Sequence, residues 1–238
     1  MAENEILTDN DEALDAFTNN YQRPSENPCG LYLISPPEID EHFVERLKKA
    51  FDGGDVSAFQ LRLKGLNEHA IARLAEPLQK VCADRDVAFI VNDSVSLAKR
   101  LGADGVHLGQ GAGDADEARV ILGPSAQIGV TCHNSRHLAM IAGEKGADYV
   151  AFGAFYPTTS KDVRYYARPE ILSWWATLFE LPSVAIGGIT TENVAPIVKA
   201  GADFVAVCAG IWKAKEGEDK AVAHFNTVLD QAVKGEIA

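Results

Sequence analysis

Gln60, Arg62 and Lys64 alternate with Leu61 and Leu63 in one short run. At the strand period the three polar side chains share one face and the leucines take the other. An arginine and a lysine partly withdrawn from water need a counter-anion. An internal carboxylate would serve, and so would a phosphate or diphosphate, whose oxygens match the guanidinium fork. Further along, Thr158, Thr159 and Ser160 precede Lys161, a turn that could grip an oxyanion or be an ordinary hydroxyl-rich loop. The small pairs Gly187-Gly188 and Ala209-Gly210 each follow a β-branched run, and backbone N–H groups at such turns suit a monophosphate. Two anion sites result. One is lined by the side chains of Gln60, Arg62, Lys64 and Lys161, the other by the backbone. That layout fits a two-substrate enzyme taking one diphosphate and one monophosphate.

Three other positions carry chemistry of their own. Asn92-Asp93 closes a β-branched run, and a carboxylate beside a cationic cluster is a natural Mg²⁺ ligand, since that ion prefers oxygen donors and substrate phosphates. The competing reading makes Asp93 or Ser94 the cap of the helix that follows. His107 alternates with Leu108 and reads as an interior, structural imidazole. His133 stands at the end of another strand-like run, where an imidazole could act as acid or base. Asp114 and Asp116 read as first-turn residues of a helix.

Eight strand-like runs supply the frame: 31–35, 57–63, 88–93, 105–109, 127–132, 149–155, 183–188 and 204–210. Amphipathic stretches between them make a βα series, with Pro77 a point where one helix could kink. The triplets Gly102-Ala103-Asp104, Gly146-Ala147-Asp148 and Gly201-Ala202-Asp203 each mark a helix-to-strand junction, with glycine at the left-handed helix end. Eight units in series, without GxGxxG after the first strand, predict an α/β fold of the (βα)8 TIM-barrel type. The expected division is a flexible acidic N-terminal arm over residues 1–27, with a short helix at 11–17, and a single catalytic barrel domain over 28–238. In such a barrel the chemistry gathers at the C-terminal ends of the strands.

The 238 residues carry a net charge of -12, which argues against a nucleic-acid partner. The four cysteines are scattered without a CxxC pair, and Cys132 and Cys208 fall in strand-like runs as expected buried thiols. No apolar stretch approaches the ~18 residues of a membrane span. The acidic N-terminus lacks signal-peptide order, so a cytoplasmic protein away from membranes is expected. Trp174-Trp175 reads as a helix face packed on the barrel, with homo-oligomer formation as the alternative.

The runs QLRLK, VNDS, GADGVHLGQ, IGVTCH, DYVAFGAFYPTTSK and VAIGGI, in that order, resemble the thiamine phosphate synthase and thiazole tautomerase superfamily over about residues 31–211. The resemblance implies a transferase of thiamine biosynthesis. It couples an aminopyrimidine-methyl diphosphate to a thiazole phosphate and releases diphosphate. By the same resemblance Gln60, Arg62 and Lys64 would bind diphosphate with Asn92 and Lys161, and Asp93 would hold Mg²⁺. Thr158 and Ser160 would contact substrates, Thr131 would occupy a usual serine position, and Gly187 and Gly188 would hold the thiazole phosphate. The chain departs from that pattern at Ala112, where the family usually has a second metal-binding aspartate, and at Ala209, where it usually has serine. The segment DVRYYARPE also lacks the expected glycines and brings Arg164 and Arg168 near the site. The alternatives are a tautomerase-like isomerase using His133 as acid/base, and a non-catalytic phosphate-binding relative.

Overall fold

The computed structural model describes Thr18, residues 21–158 and residues 163–237. Its eight strands pair in chain order into a closed, parallel barrel. They are β1 Gly30–Ile34, β2 Ala58–Leu61, β3 Ala88–Asn92, β4 Gly105–Leu108, β5 Gln127–His133, β6 Tyr149–Gly153, β7 Ser183–Ile186 and β8 Phe204–Val207. The helices are α1 Phe43–Asp52, α2 Glu68–Ala83, α3 Val95–Leu101, α4 Ala115–Leu122, α5 Arg136–Glu144, α6 Glu170–Leu178, α7 Ala195–Lys199, α8 Ala209–Trp212 and α9 Glu218–Val233. Helix α2 runs through Pro77.

Strand alternation divides the apolar residues into two layers. Leu31, Leu33, Phe59, Leu61, Phe89 and Val91 point outward into the layer shared with the helices. Tyr32, Ile34, Ile90, Tyr149, Ala151, Val184 and Ala206 fill the barrel interior. Trp174 and Trp175 lie against the barrel, 4% and 1% exposed, as a helix face should.

The aspartates of the three repeated triplets have a shared task at the lower rim. Asp104 donates its N–H to the Phe89 carbonyl and accepts the Phe89 N–H on Oδ2, at 3.1 and 2.7 Å. Asp148 does the same with Ile128, at 2.7 and 2.7 Å. Asp203 does so with Ser183, at 3.1 and 2.8 Å. Each triplet thus ends a helix through a positive-φ glycine and clamps the start of the next strand to the start of the strand before it. Arg23 joins this lower face, donating to the Pro28 carbonyl at 2.6 Å and to Ala202 at 2.7 Å. Of the expected arm, only Thr18 and residues 21–27 are among the described residues, and the helix expected at 11–17 lies outside them.

Three local expectations change. Strand β2 ends at Leu61, so alternation does not carry on to Lys64, which is exposed in a bend while its N–H donates to Pro37. Strand β8 ends at Val207, leaving Cys208 half-buried beyond it instead of within the sheet. Strand β5 reaches His133 through an irregularity at Thr131/His133. No helix among the described residues is long and apolar enough to cross a membrane.

Candidate active site

The rim is most ordered where β3 meets β4. Ser94, and not Asp93, caps α3, its Oγ accepting the Leu97 N–H at 3.1 Å. Ser94 and Ser96 in turn donate to Glu68 at the start of α2, and those two hydrogen bonds hold the Glu68 carboxyl below its ordinary value. Asp93 is therefore spared from capping. It sits in the left-handed region at φ 63°, a conformation that costs a non-glycine residue about 1 kcal/mol or more. Its Oδ1 accepts the Gly109 N–H at 2.8 Å and its Oδ2 accepts the Asn92 amide at 2.7 Å. Each oxygen keeps a lone pair for a further partner.

On the neighbouring wall Gln60 is 3% exposed, and its amide donates to the Tyr32 hydroxyl at 3.0 Å. Arg62 follows the strand, half-buried, with its N–H donated to Ser35 Oγ at 2.8 Å. Gln60 thus faces the barrel interior, Arg62 lies one residue beyond the end of β2, and Lys64 is exposed further along.

Below the mouth lies a polar interior that the sequence alone leaves undrawn. Tyr32 and Tyr149 hydroxyls meet at 3.0 Å, Tyr149 reaches His107 Nδ1 at 3.1 Å, and His107 Nε2 reaches Thr131 Oγ1 at 2.9 Å. Burial pushes the Tyr32 hydroxyl up to about 12 and that of Tyr149 well above its ordinary value. Both phenols stay protonated at working pH. His107 is interior, 7% exposed and stacked on Tyr149. Gly129 makes room for this ring, because a Cβ there would collide with the Tyr149 phenol.

At the β5–β6 rim, His133 sits at φ 54° and packs against Tyr165, ring centres 5.0 Å apart. These two line a cavity of about 310 Å³ with Gln110, Asn134, Ser135 and Leu138. The segment after the strand-six loop returns along β6. Ala154 donates to the Tyr165 carbonyl at 3.3 Å, and Ala167 donates to Ala154 at 2.9 Å. Arg164 and Arg168 are exposed on it. Thr158 is half-buried. Ser160 and Lys161 lie outside the described residues.

The glycine pair after β7 packs beneath the β6 loop. Gly187 has φ 102° and Gly188 φ 67°. A Cβ on the first would collide with Ala154, and one on the second with the Pro157 carbonyl. Close backbone approach therefore accounts for these glycines in addition to any role towards a phosphate. Thr190 and Thr191 after β7 and Ala209 and Gly210 after β8 line one cavity of about 210 Å³.

Asp114, the residue nearest in sequence to replace a carboxylate at Ala112, is instead bound to Lys145 of α5. Ala112 packs against the outer core. Among the described residues no group of three His, Cys, Asp or Glu side chains could hold a metal ion.

Residues missed from the sequence are Tyr32, Tyr149, Gly109, Gln110 and Tyr165. A signal existed for the first two, since the alternation that sends Gln60 inward also sends Tyr32 and Tyr149 inward. Gln110 donates to the Thr131 carbonyl, a contact from the loop after β4 to strand β5 that nothing local announces.

Comparison with known proteins matches the barrel over most of its length. Residues 31–211, from the second residue of β1 into α8, match the family described as thiamine monophosphate synthase. The chain is 58% identical over 196 residues to a thiamine-phosphate synthase of Erythrobacter litoralis, covering 81% of this chain and 92% of that protein. It is 54% identical over 202 residues to one of Rhodospirillum centenum, covering 84% and 98%. Its fold superposes on thiamine phosphate pyrophosphorylase from Pyrococcus furiosus with a TM-score of 0.76 at 29% identity, covering 87% of this chain and 98% of that one. With the family match spanning the barrel strands and both relatives more than half identical, the chain belongs to the thiamine monophosphate synthase family.

Proposed function

We propose that the chain is a thiamine-phosphate synthase, a transferase that joins an aminopyrimidine-methyl diphosphate to a thiazole phosphate. The observation that carries this reading is Asp93, relieved of helix capping by Ser94 and braced at the mouth by Asn92 and Gly109. Such strain and bracing suit a ligand-facing carboxylate.

The diphosphate lies against Arg62 and Lys64, with Lys161 and Asn92 assisting and Gln60 beneath. The C–O bond from the pyrimidine methylene to the diphosphate breaks, and the electron pair leaves with diphosphate. The thiazole nitrogen then gives its lone pair to the methylene carbon. Cationic side chains stabilise the departing charge, the electrostatic help that dominates such reactions. Thr131, Thr158 and Ser160 orient the substrates. Gly187 and Gly188 hold the thiazole phosphate through backbone N–H groups.

Mg²⁺ fits here in one way. The chain offers it the Asp93 carboxylate, and the remaining oxygen ligands come from the diphosphate and water, as Mg²⁺ commonly arranges. When bound, it neutralises charge on the leaving group. In this reading residues 28–238 form the catalytic barrel, residues 1–27 an acidic arm, and the protein works in the cytoplasm on small phosphorylated molecules. Incubation with both substrates tests it: thiamine phosphate and diphosphate should appear in equal amounts. Rearrangement of a thiazole phosphate alone, without coupling, would instead favour an isomerase using His133.

A further inference from the structure

Arg62 and Lys64 stand on the loop of residues 62–67 that joins β2 to α2. From Lys64 to Asn67 this loop is exposed, and Gly65 takes φ 71° with open space where a Cβ would be. Packing does not hold this stretch, so its ends must. The near end is pinned to the loop after β1: the Arg62 N–H donates to Ser35 Oγ at 2.8 Å and the Lys64 N–H to the Pro37 carbonyl at 2.9 Å. The far end is the start of α2, capped by Asn67, whose Oδ1 accepts the Ala70 N–H at 2.9 Å. The next residue, Glu68, reaches across to the end of β3. Ser94 and Ser96 both donate to one atom, Glu68 Oε1, the second at 2.8 Å. The Ser94 proton is thus used on Glu68 while its oxygen accepts the Leu97 N–H. Ser94 is held from both sides, and the residue before it is Asp93. A second tie, from Gln79 to the Leu101 and Gly102 carbonyls at 3.1 Å each, joins α2 to the opposite end of α3, away from the mouth.

We propose that Glu68 is a positioning residue that ties the loop carrying Arg62 and Lys64 to the end of β3 carrying Asn92 and Asp93. The tie sets the spacing between cations and carboxylate that a Mg²⁺-bound diphosphate must bridge. The identity of that ligand rests on the synthase reading above, whereas the tie itself does not. Glu68 acts through Ser94 and Ser96, not on the substrate. Hydroxyl bonds to an ionised carboxylate are charge-assisted and short, which suits a spacer more than a general source of stability. Because both bonds converge on Oε1, an amide oxygen at that place can accept both. Glu68→Gln therefore keeps the tie, and Glu68→Ala loses it. The thiazole phosphate, held by the loop after β7, does not depend on it.

Calorimetric titration of the full-length protein with inorganic diphosphate in excess Mg²⁺ reads the tie without turnover. Glu68→Ala should bind diphosphate about tenfold more weakly than the wild type, the order expected when binding groups lose their spacing. Glu68→Gln should bind it as tightly as the wild type. Ser96→Ala, which removes one of the two bonds and leaves the Ser94 cap in place, should show a smaller loss. Gln79→Ala, which cuts the tie between the same helices away from the mouth, should lower the unfolding midpoint and leave diphosphate affinity unchanged. In steady-state kinetics Glu68→Ala should raise KM for the pyrimidine diphosphate in the same proportion, with KM for thiazole phosphate unmoved. Unaltered diphosphate affinity in Glu68→Ala, or a loss matched by Glu68→Gln or by Gln79→Ala, overturns the proposal, as does a wild type that binds no diphosphate. Should the wild type make no thiamine phosphate, yet bind diphosphate about tenfold more tightly than Glu68→Ala, the synthase reading fails and the tie stands.

Discussion

Asp93 on the loop after β3 accepts the backbone N–H of Gly109 on the loop after β4, at 2.8 Å. This bond joins two adjacent loops at the mouth and fixes a carboxylate whose backbone is itself strained at φ 63°.

Replacement of Asp93 should separate stability from activity. Asparagine tolerates positive φ and can still accept the Gly109 N–H, so Asp93→Asn should keep its unfolding midpoint within about 2 °C. Its kcat should fall about 100-fold or more. His133→Ala should cost less than about tenfold, below the usual range for loss of a general acid or base. Thermal scans and coupling kinetics on both variants check this, and the reverse order of damage would favour the isomerase.

Arg62 follows β2 directly, two residues beyond the buried Gln60. Arg62→Ala should raise KM for the pyrimidine diphosphate roughly 10- to 100-fold, as expected for loss of a charged hydrogen-bonding pair, with KM for thiazole phosphate unchanged. Arg62→Lys should recover only part of that loss, because an ammonium lacks the planar fork. Initial rates against each substrate decide the matter.

The lower-rim clamps should matter to stability alone. Asp148→Ala removes the acceptor of the Ile128 N–H at 2.7 Å and the partner of Arg119 at 2.5 Å. A loss of about 2 kcal/mol is expected, read by urea unfolding, with kcat/KM as in the wild type.

Glu218 at the start of α9 accepts Arg46 Nε of α1 at 2.6 Å. Burial alone would raise its carboxyl, but the Arg46 hydrogen bond and neighbouring charges outweigh burial and hold it below the ordinary 4.5. A carboxylate lowered in the folded state stabilises at neutral pH, and that stability is lost as pH falls through the lowered value. Glu218→Gln should therefore cost about 1 kcal/mol at neutral pH and progressively less at an acid pH below the lowered value, where both proteins carry a neutral side chain. Parallel denaturant titrations at the two pH values measure the difference.

The barrel was legible because each strand is a compact, mostly apolar run and each Gly-Ala-Asp triplet marks a junction by local chemistry. The rim was legible in part. Gln60 lies within β2, so strand period predicts its inward side, but Lys64 lies beyond the last ladder residue, Leu61, where the period has no force. Whether Asp93 or Ser94 caps α3 depends on backbone φ at Asp93, which both residue types permit in sequence. The Tyr32–Tyr149 contact joins residues 117 positions apart, so barrel closure creates it and no window of sequence contains it.

The most direct test mixes the purified protein with the aminopyrimidine-methyl diphosphate, thiazole phosphate and Mg²⁺, and follows thiamine phosphate over time with and without chelator. Product should accumulate with diphosphate one for one and stop on chelation. Absence of product from a protein that still binds thiazole phosphate would contradict it.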